Sequence, residues 1–143
     1  MFVCVRNSGK SQMAAALMRQ AGPGLVRVHS AGTDPGAGLN PLSVQVLDEV
    51  GASVEGEHPK LLDPAVAAHA DVVVVLGREA ELDLPSGPRL IRWDTDEPST
   101  RGIEGIERMR LIREDITARV RALLTELIAT HHQPTEKPCP TAP

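Results

Sequence analysis

A cysteine, two cations, a glycine and two serines fall within eight consecutive residues near the start of the chain, Cys4-Val5-Arg6-Asn7-Ser8-Gly9-Lys10-Ser11. Cys4 lies in the short apolar run Met1-Phe2-Val3-Cys4-Val5, which reads as the end of a buried strand. Ser11 opens a run of strong helix formers, Gln12 to Gln20, that Gly22-Pro23-Gly24 closes. The turn from Val5 to Lys10 is short enough to wrap backbone N–H groups around a tetrahedral anion. The helix N-terminus adds unpaired donors and positive potential. That field, with Arg6 and Lys10 close by, favours a thiolate at Cys4. A thiolate at the bottom of an oxyanion cradle is a nucleophile aimed at the anion's central atom. A plain buried cysteine is the competing reading, common for this residue type. A nucleotide-binding P-loop is another, since Gly9-Lys10-Ser11 is present, but position 4 is Cys where that motif needs Gly.

The rest of the chain must hold this loop. Leu25 to Ser30 alternates apolar and polar residues and predicts a second strand, followed by a glycine-rich loop from Ala31 to Leu39. Asn40 and Pro41 form a cap-plus-proline signal, and Leu42, Val46, Leu47 and Val50 give helical spacing up to Gly51. Asp63-Pro64 repeats that signal before a short helix over Ala65 to His69. Asp71 to Gly77 holds a continuous valine run, the habit of a strand buried on both faces in a parallel sheet. Leu90 to Trp93 predicts a fourth strand. Ile103, Ile106, Met109, Ile112, Ile116, Val120, Leu123 and Leu127 mark one long amphipathic helix. The predicted fold class is α/β, a three-layer sandwich with a four-stranded, mainly parallel sheet and an anion-binding loop after the first strand. Such sheets place their sites where strands end and helices begin. Residues 1–130 form the expected domain, and the proline-rich segment 131–143 is expected to be disordered.

Composition narrows the function. The 143 residues carry a formal net charge of −4 and Phe2 and Trp93 as the only aromatics, so neither phosphate neutralisation nor base stacking on nucleic acid is expected. No apolar run approaches the ~20 residues needed to cross a bilayer. Two cysteines, Cys4 and Cys139, and the lack of a secretory signal pattern imply a cytoplasmic protein with reduced thiols. His29, His58, His69, His131 and His132 show no ligand spacing with cysteine, so no metal is expected. Arg108, Arg110, Arg113, Arg119 and Arg121 read as the solvated face of the last helix.

Cys4 to Ala14 resembles the anion loop of the low-molecular-weight protein tyrosine phosphatase superfamily, and Ser11-Gln12-Met13-Ala14 resembles its arsenate reductase branch. Ser30-Ala31-Gly32-Thr33, Asn40-Pro41, Asp71 to Val74 and Trp93-Asp94-Thr95-Asp96-Glu97-Pro98 extend the similarity over roughly residues 1 to 128. The resemblance implies Cys4 as the nucleophile, Val5, Arg6, Asn7, Ser8, Gly9 and Ser11 around the oxyanion, and a Ser11 hydroxyl on the thiolate. It also implies that Asn7 and Ser30 brace the loop from behind. Two positions depart from the family pattern. Lys10 stands where the family loop has Arg, a point charge in place of a planar fork, with Arg6 as a conceivable second cation. Glu97 stands where the family has Asp before Pro, so Glu97, or Asp96 beside it, is the expected general acid.

Thioredoxin-coupled relatives relay a disulfide through two further cysteines, and the corresponding positions here are Gly77 and Leu84. An external low-molecular-weight thiol must then finish the reaction, and the resemblance points to mycothiol as co-substrate, with no bound cofactor. Arsenate would be attacked by Cys4 and the arseno group passed to mycothiol. A mycoredoxin would later release arsenite. Glutathione would satisfy the same chemistry. A tail swinging Cys139 onto Cys4 is the internal alternative, and an incidental exposed thiol is the plainer reading of that residue. Two other functions stay in view: a phosphatase for phosphotyrosine or small phosphoesters, and a non-catalytic oxyanion-binding module.

Overall fold

The structure is a computed structural model and describes residues 1–84 and 86–131. Strands β1 (Phe2–Cys4), β2 (Ser30–Gly32), β3 (Val72–Leu76) and β4 (Arg89–Trp93) form one sheet in the order β2-β1-β3-β4. Every pairing is parallel, with Phe2 opposite both Ser30 and Val74, and Leu76 opposite Trp93. Helices α1 (Lys10–Ala21), α2 (Pro41–Asp48), α3 (Pro64–Ala68) and α4 (Gly105–His131) complete the α/β sandwich. A 3-10 turn over Pro98–Arg101 precedes α4.

Alternation along the strands splits the core. Phe2, Cys4, Val74, Leu76 and Trp93 join one cluster with α1, α2 and α4. Their neighbours Val3, Val73 and Val75 point to the opposite face and are equally buried. The reading of the valine run as a strand enclosed on both faces therefore holds. Ser11 to Met18 of α1 are all buried because that helix is wedged between the sheet and α4. Met109, Ile112, Ile116, Val120, Leu123 and Leu124 form the buried stripe of α4. Each such side chain contributes about 1.5–3 kcal/mol when fully buried. The Phe2 and Trp93 rings meet with centroids 5.7 Å apart.

Two boundaries differ from expectation. The second strand is Ser30–Gly32 rather than Leu25 to Ser30, because three-residue β1 offers ladder partners only from Phe2 onward. Residues 25–29 carry no strand assignment; Val26 and Val28 still pack on the core, and Leu25 is exposed. Ile103 falls outside α4, which begins at Gly105, a residue with a positive φ of 65°. The predicted tail beyond the helix, with Cys139, lies outside the described residues. Among the described residues no helix is long and apolar enough to cross a membrane.

Candidate active site

The loop from Cys4 to Lys10 joins the end of β1 to the start of α1, and a second segment turns its peptides. The carbonyls of Cys4, Val5, Arg6 and Ser8 accept from the N–H groups of Thr33 (3.1 Å), Asp34 (2.8 Å), Gly36 (2.9 Å) and Asn40 (2.8 Å). Across a trans peptide the N–H points opposite the preceding carbonyl. No peptide bond here is cis. The N–H groups of Val5, Arg6, Asn7 and Gly9 are therefore aimed into the loop. Asn7 N–H donates to Cys4 Sγ at 3.2 Å. The capping residue Gly9 brings no side-chain cap to α1, which leaves the first-turn N–H groups of that helix available to an anion as well.

The sulfur is held by a relay. Asn7 Nδ2 donates to Ser11 Oγ at 2.8 Å, and Ser11 Oγ lies 2.9 Å from Cys4 Sγ. A hydroxyl that accepts from an amide still has its own proton to offer, and that proton is the one available to a thiolate at Cys4. Two donors converging on Sγ suit a charged sulfur. Asn7 reaches this position through a left-handed backbone, φ 51°, which Asn tolerates better than most residues. Its Oδ1 accepts from Gln12 Nε2 and from Lys60 N–H, both at 3.1 Å. Gln12 Nε2 also donates to the His58 carbonyl at 3.1 Å. Gln12 and Lys60 are supports that sequence reasoning missed. A buried amide amid the apolar residues of α1 was a signal for the first, whereas nothing local marked Lys60.

Ser30 does not brace the loop directly. Its Oγ accepts from Lys60 Nζ at 3.3 Å, and that ammonium also binds Glu57 Oε2 (3.2 Å) and the His58 carbonyl (3.3 Å). Support from Ser30 thus passes through Lys60 to Asn7. Gly32 is needed for close approach, since a Cβ there would lie 2.6 Å from the Val5 carbonyl oxygen and 3.0 Å from Asn7 Cβ. Gly32→Ala should push the loop off its supports and cost about 1–3 kcal/mol, read as a lowered urea midpoint with an unchanged slope.

The charged residues are arranged differently from expectation. Arg6 turns outward, 62% exposed, and Nη1 binds Asp34 Oδ2 at 2.7 Å, so its guanidinium is no second cation for the loop. Lys10 Nζ lies 3.7 Å from Glu97 Oε2, bringing the loop and the Asp94–Pro98 segment together. The acid role expected of Glu97 or Asp96 does not fit this arrangement. Arg108 Nε and Nη2 donate to Glu97 Oε1 (2.7 Å) and Oε2 (3.0 Å), and Ser99 Oγ donates to Oε1 at 2.6 Å. These donors, Arg108 first, hold the Glu97 carboxyl down at about 2, so it keeps its charge in acid where an ordinary glutamate would take up a proton. Asp96 receives a bidentate grip from Arg101 at 2.8 and 3.0 Å, which lowers its pKa as well.

The arginines of α4 are also more than a solvated face. Besides Arg108, Arg110 and Arg113 bind Glu49, Arg113 donates to the Val46 carbonyl at 2.9 Å, and Arg119 donates to the Asp94 carbonyl at 2.9 Å. Only Arg121 keeps the exposed role expected of the whole set. At the relay-cysteine positions, Gly77 closes β3 with φ 88° and Leu84 lies in the loop before β4. Cys4 is the one free cysteine among the described residues.

The model of the family described as "Low molecular weight phosphotyrosine protein phosphatase" matches residues 1–133. An arsenate reductase from Staphylococcus aureus (strain Newman) is 30% identical over 112 residues, covering 76% of this chain and 85% of that protein. An arsenate reductase from Bacillus cereus (strain Q1) is 32% identical over 123 residues, covering 84% and 89%. Among solved structures, a Corynebacterium glutamicum thioredoxin-dependent arsenate reductase superposes with a TM-score of 0.77 at 29% identity. That match covers 90% of this chain and 61% of the solved one. The tyrosine phosphatase Wzb from Escherichia coli K30, solved with sulphate, shares the fold at TM-score 0.73 and 13% identity, over 88% of this chain and 95% of that one.

Proposed function

Because this chain belongs to the low molecular weight phosphotyrosine protein phosphatase family, we propose that it uses the family's cysteine loop to detoxify arsenate, transferring the arseno group from Cys4 to an external thiol. The observation that carries this reading is the Cys4 sulfur, hydrogen-bonded by Ser11 and Asn7 beneath a ring of inward N–H groups. The arsenate reductases among its relatives supply the substrate.

The first step balances without an acid from the protein. The Cys4 thiolate attacks arsenic in the singly charged arsenate, an S–As bond forms, and one As–O bond breaks. The departing oxygen takes its second proton from another hydroxyl of the same arsenate and leaves as water. Backbone N–H groups and Lys10 meet the charge that gathers on the remaining oxygens. In the second step the sulfur of a small thiol attacks arsenic and displaces Cys4, which regains its proton. Arsenic stays pentavalent throughout, and reduction to arsenite follows on a partner such as a mycoredoxin. An external thiol is proposed because Gly77 and Leu84 occupy the places of relay cysteines, and the family resemblance favours mycothiol in that role. The cytoplasm, with its reduced thiols, is the proposed compartment.

Mass spectrometry after incubation with arsenate and mycothiol tests the scheme. It should find arsenic on Cys4 transiently and on mycothiol in the product. Arsenate consumption without a mycothiol adduct would refute the transfer to mycothiol. A phosphatase reading has less support, since Lys10 replaces the planar cation that a transferring phosphoryl group calls for.

A further inference from the structure

Glu97 sits where three elements converge, and almost every group facing it donates. Arg108 comes from α4, Ser99 from the 3-10 turn, and Lys10 from the first residue of α1. The neighbouring anion, Asp96, is matched by Arg101, and Glu104 acts on Arg108 from the same side. Both oxygens of Glu97 accept from guanidinium N–H groups and Oε1 also accepts from Ser99, so donors surround the carboxylate and taking up a proton would work against those bonds.

We propose that the Arg108–Ser99 clamp on Glu97 is a specificity device that denies a proton to leaving groups, selecting oxyanions that bring their own proton over phosphomonoesters. The identity of the favoured oxyanion rests on the arsenate reading above. In a phosphomonoester dianion the Cys4 thiolate forms an S–P bond while the ester P–O bond breaks, and the alkoxide departs with the electron pair. No proton lies on the substrate to neutralise it. Arsenate lacks that difficulty, because water is its leaving group and the proton is already aboard. Arg108 and Ser99 are thus positioning residues that act through Glu97. The lowered pKa of that carboxyl, about 2, agrees with the geometry.

Two aryl phosphates separate the cases. The nitrophenolate of 4-nitrophenyl phosphate leaves readily as an anion, whereas the phenolate of phenyl phosphate needs a proton. Wild type should favour the nitrophenyl ester by about 100-fold or more. Arg108→Gln frees the carboxyl, and hydrolysis of phenyl phosphate should rise about 10-fold or more, with a new loss of rate as pH rises and Glu97 ionises. Adding Glu97→Gln to Arg108→Gln should erase that gain. Ser99→Ala removes one donor and should give a smaller rise in the same direction, which covers failure of the Arg108 variant to fold. The proposal is overturned if neither folded variant gains on phenyl phosphate, if the gain survives the double substitution, or if wild type treats both esters alike. Arsenate labelling of wild-type Cys4 is scored separately: its absence sinks the arsenate reading while the aryl phosphates still judge the clamp.

Discussion

Cys4→Ser should lower arsenate turnover by roughly 10³-fold or more while the chain stays folded and still binds oxyanion. The hydroxyl replaces the sulfur with little change in shape, and the carbonyl-out loop that supplies the inward N–H groups is anchored by the 33–40 segment, independently of Sγ. Hydrogen bonds from Ser11 and the Asn7 N–H can pass to the new oxygen, but a serine hydroxyl is a weak nucleophile without an adjacent base. Among the described residues, the hydrogen-bond partners of Cys4 Sγ are Ser11 and Asn7 and no histidine. Steady-state assay with arsenate and mycothiol, beside calorimetric titration with arsenate, checks both halves. Turnover within 10-fold of wild type would remove Cys4 from the chemistry.

Asn7→Ala should be the most damaging change among the loop's supports, at about 3–5 kcal/mol of stability. The amide is fully buried, donates to Ser11 and accepts from Gln12 and Lys60. Removing it leaves the Lys60 N–H and one hydroxyl lone pair without partners, and alanine is strained at φ 51°. Denaturant melts measure the loss. Two companions separate the causes. Asn7→Gly relieves the backbone while still lacking the side chain, so it should recover only about 1 kcal/mol. Asn7→Asp keeps an acceptor for Gln12 and Lys60 but replaces the donor to Ser11 with a negative charge near the sulfur. It should fold better than Asn7→Ala and still react slowly with iodoacetamide at neutral pH. Equal stability of wild type and Asn7→Ala would mean that the network carries no load.

Much of the fold was legible because its signals are local. The valine run of β3 needs no partner to be recognised, and Asn40-Pro41 and Asp63-Pro64 announce helix starts whose side chains do accept the expected N–H bonds. The stripe of α4 follows from spacing alone. The second strand was misplaced because alternation reports burial, whereas a ladder needs a neighbour of matching length. Within the site, Cys4, Ser11 and the loop between them were readable from residue type and spacing. The roles of Arg6, Ser30 and Glu97 were not, because a side chain's charge says nothing about which partner will claim it.

The amino-acid order by itself determined a strand, a tight anion-sized turn and a helix, with a sulfur at the turn's entrance and a lysine at its exit. Those are short-range properties of backbone length, helix termini and residue chemistry. Only the tertiary structure decided that segments 33–40 and 58–60 turn the loop's peptides and pin Asn7, and that Arg108 silences Glu97. Such pairings join residues from 11 to 53 positions apart, and their energies depend on distances that exist only after the sheet and α4 have closed around the loop.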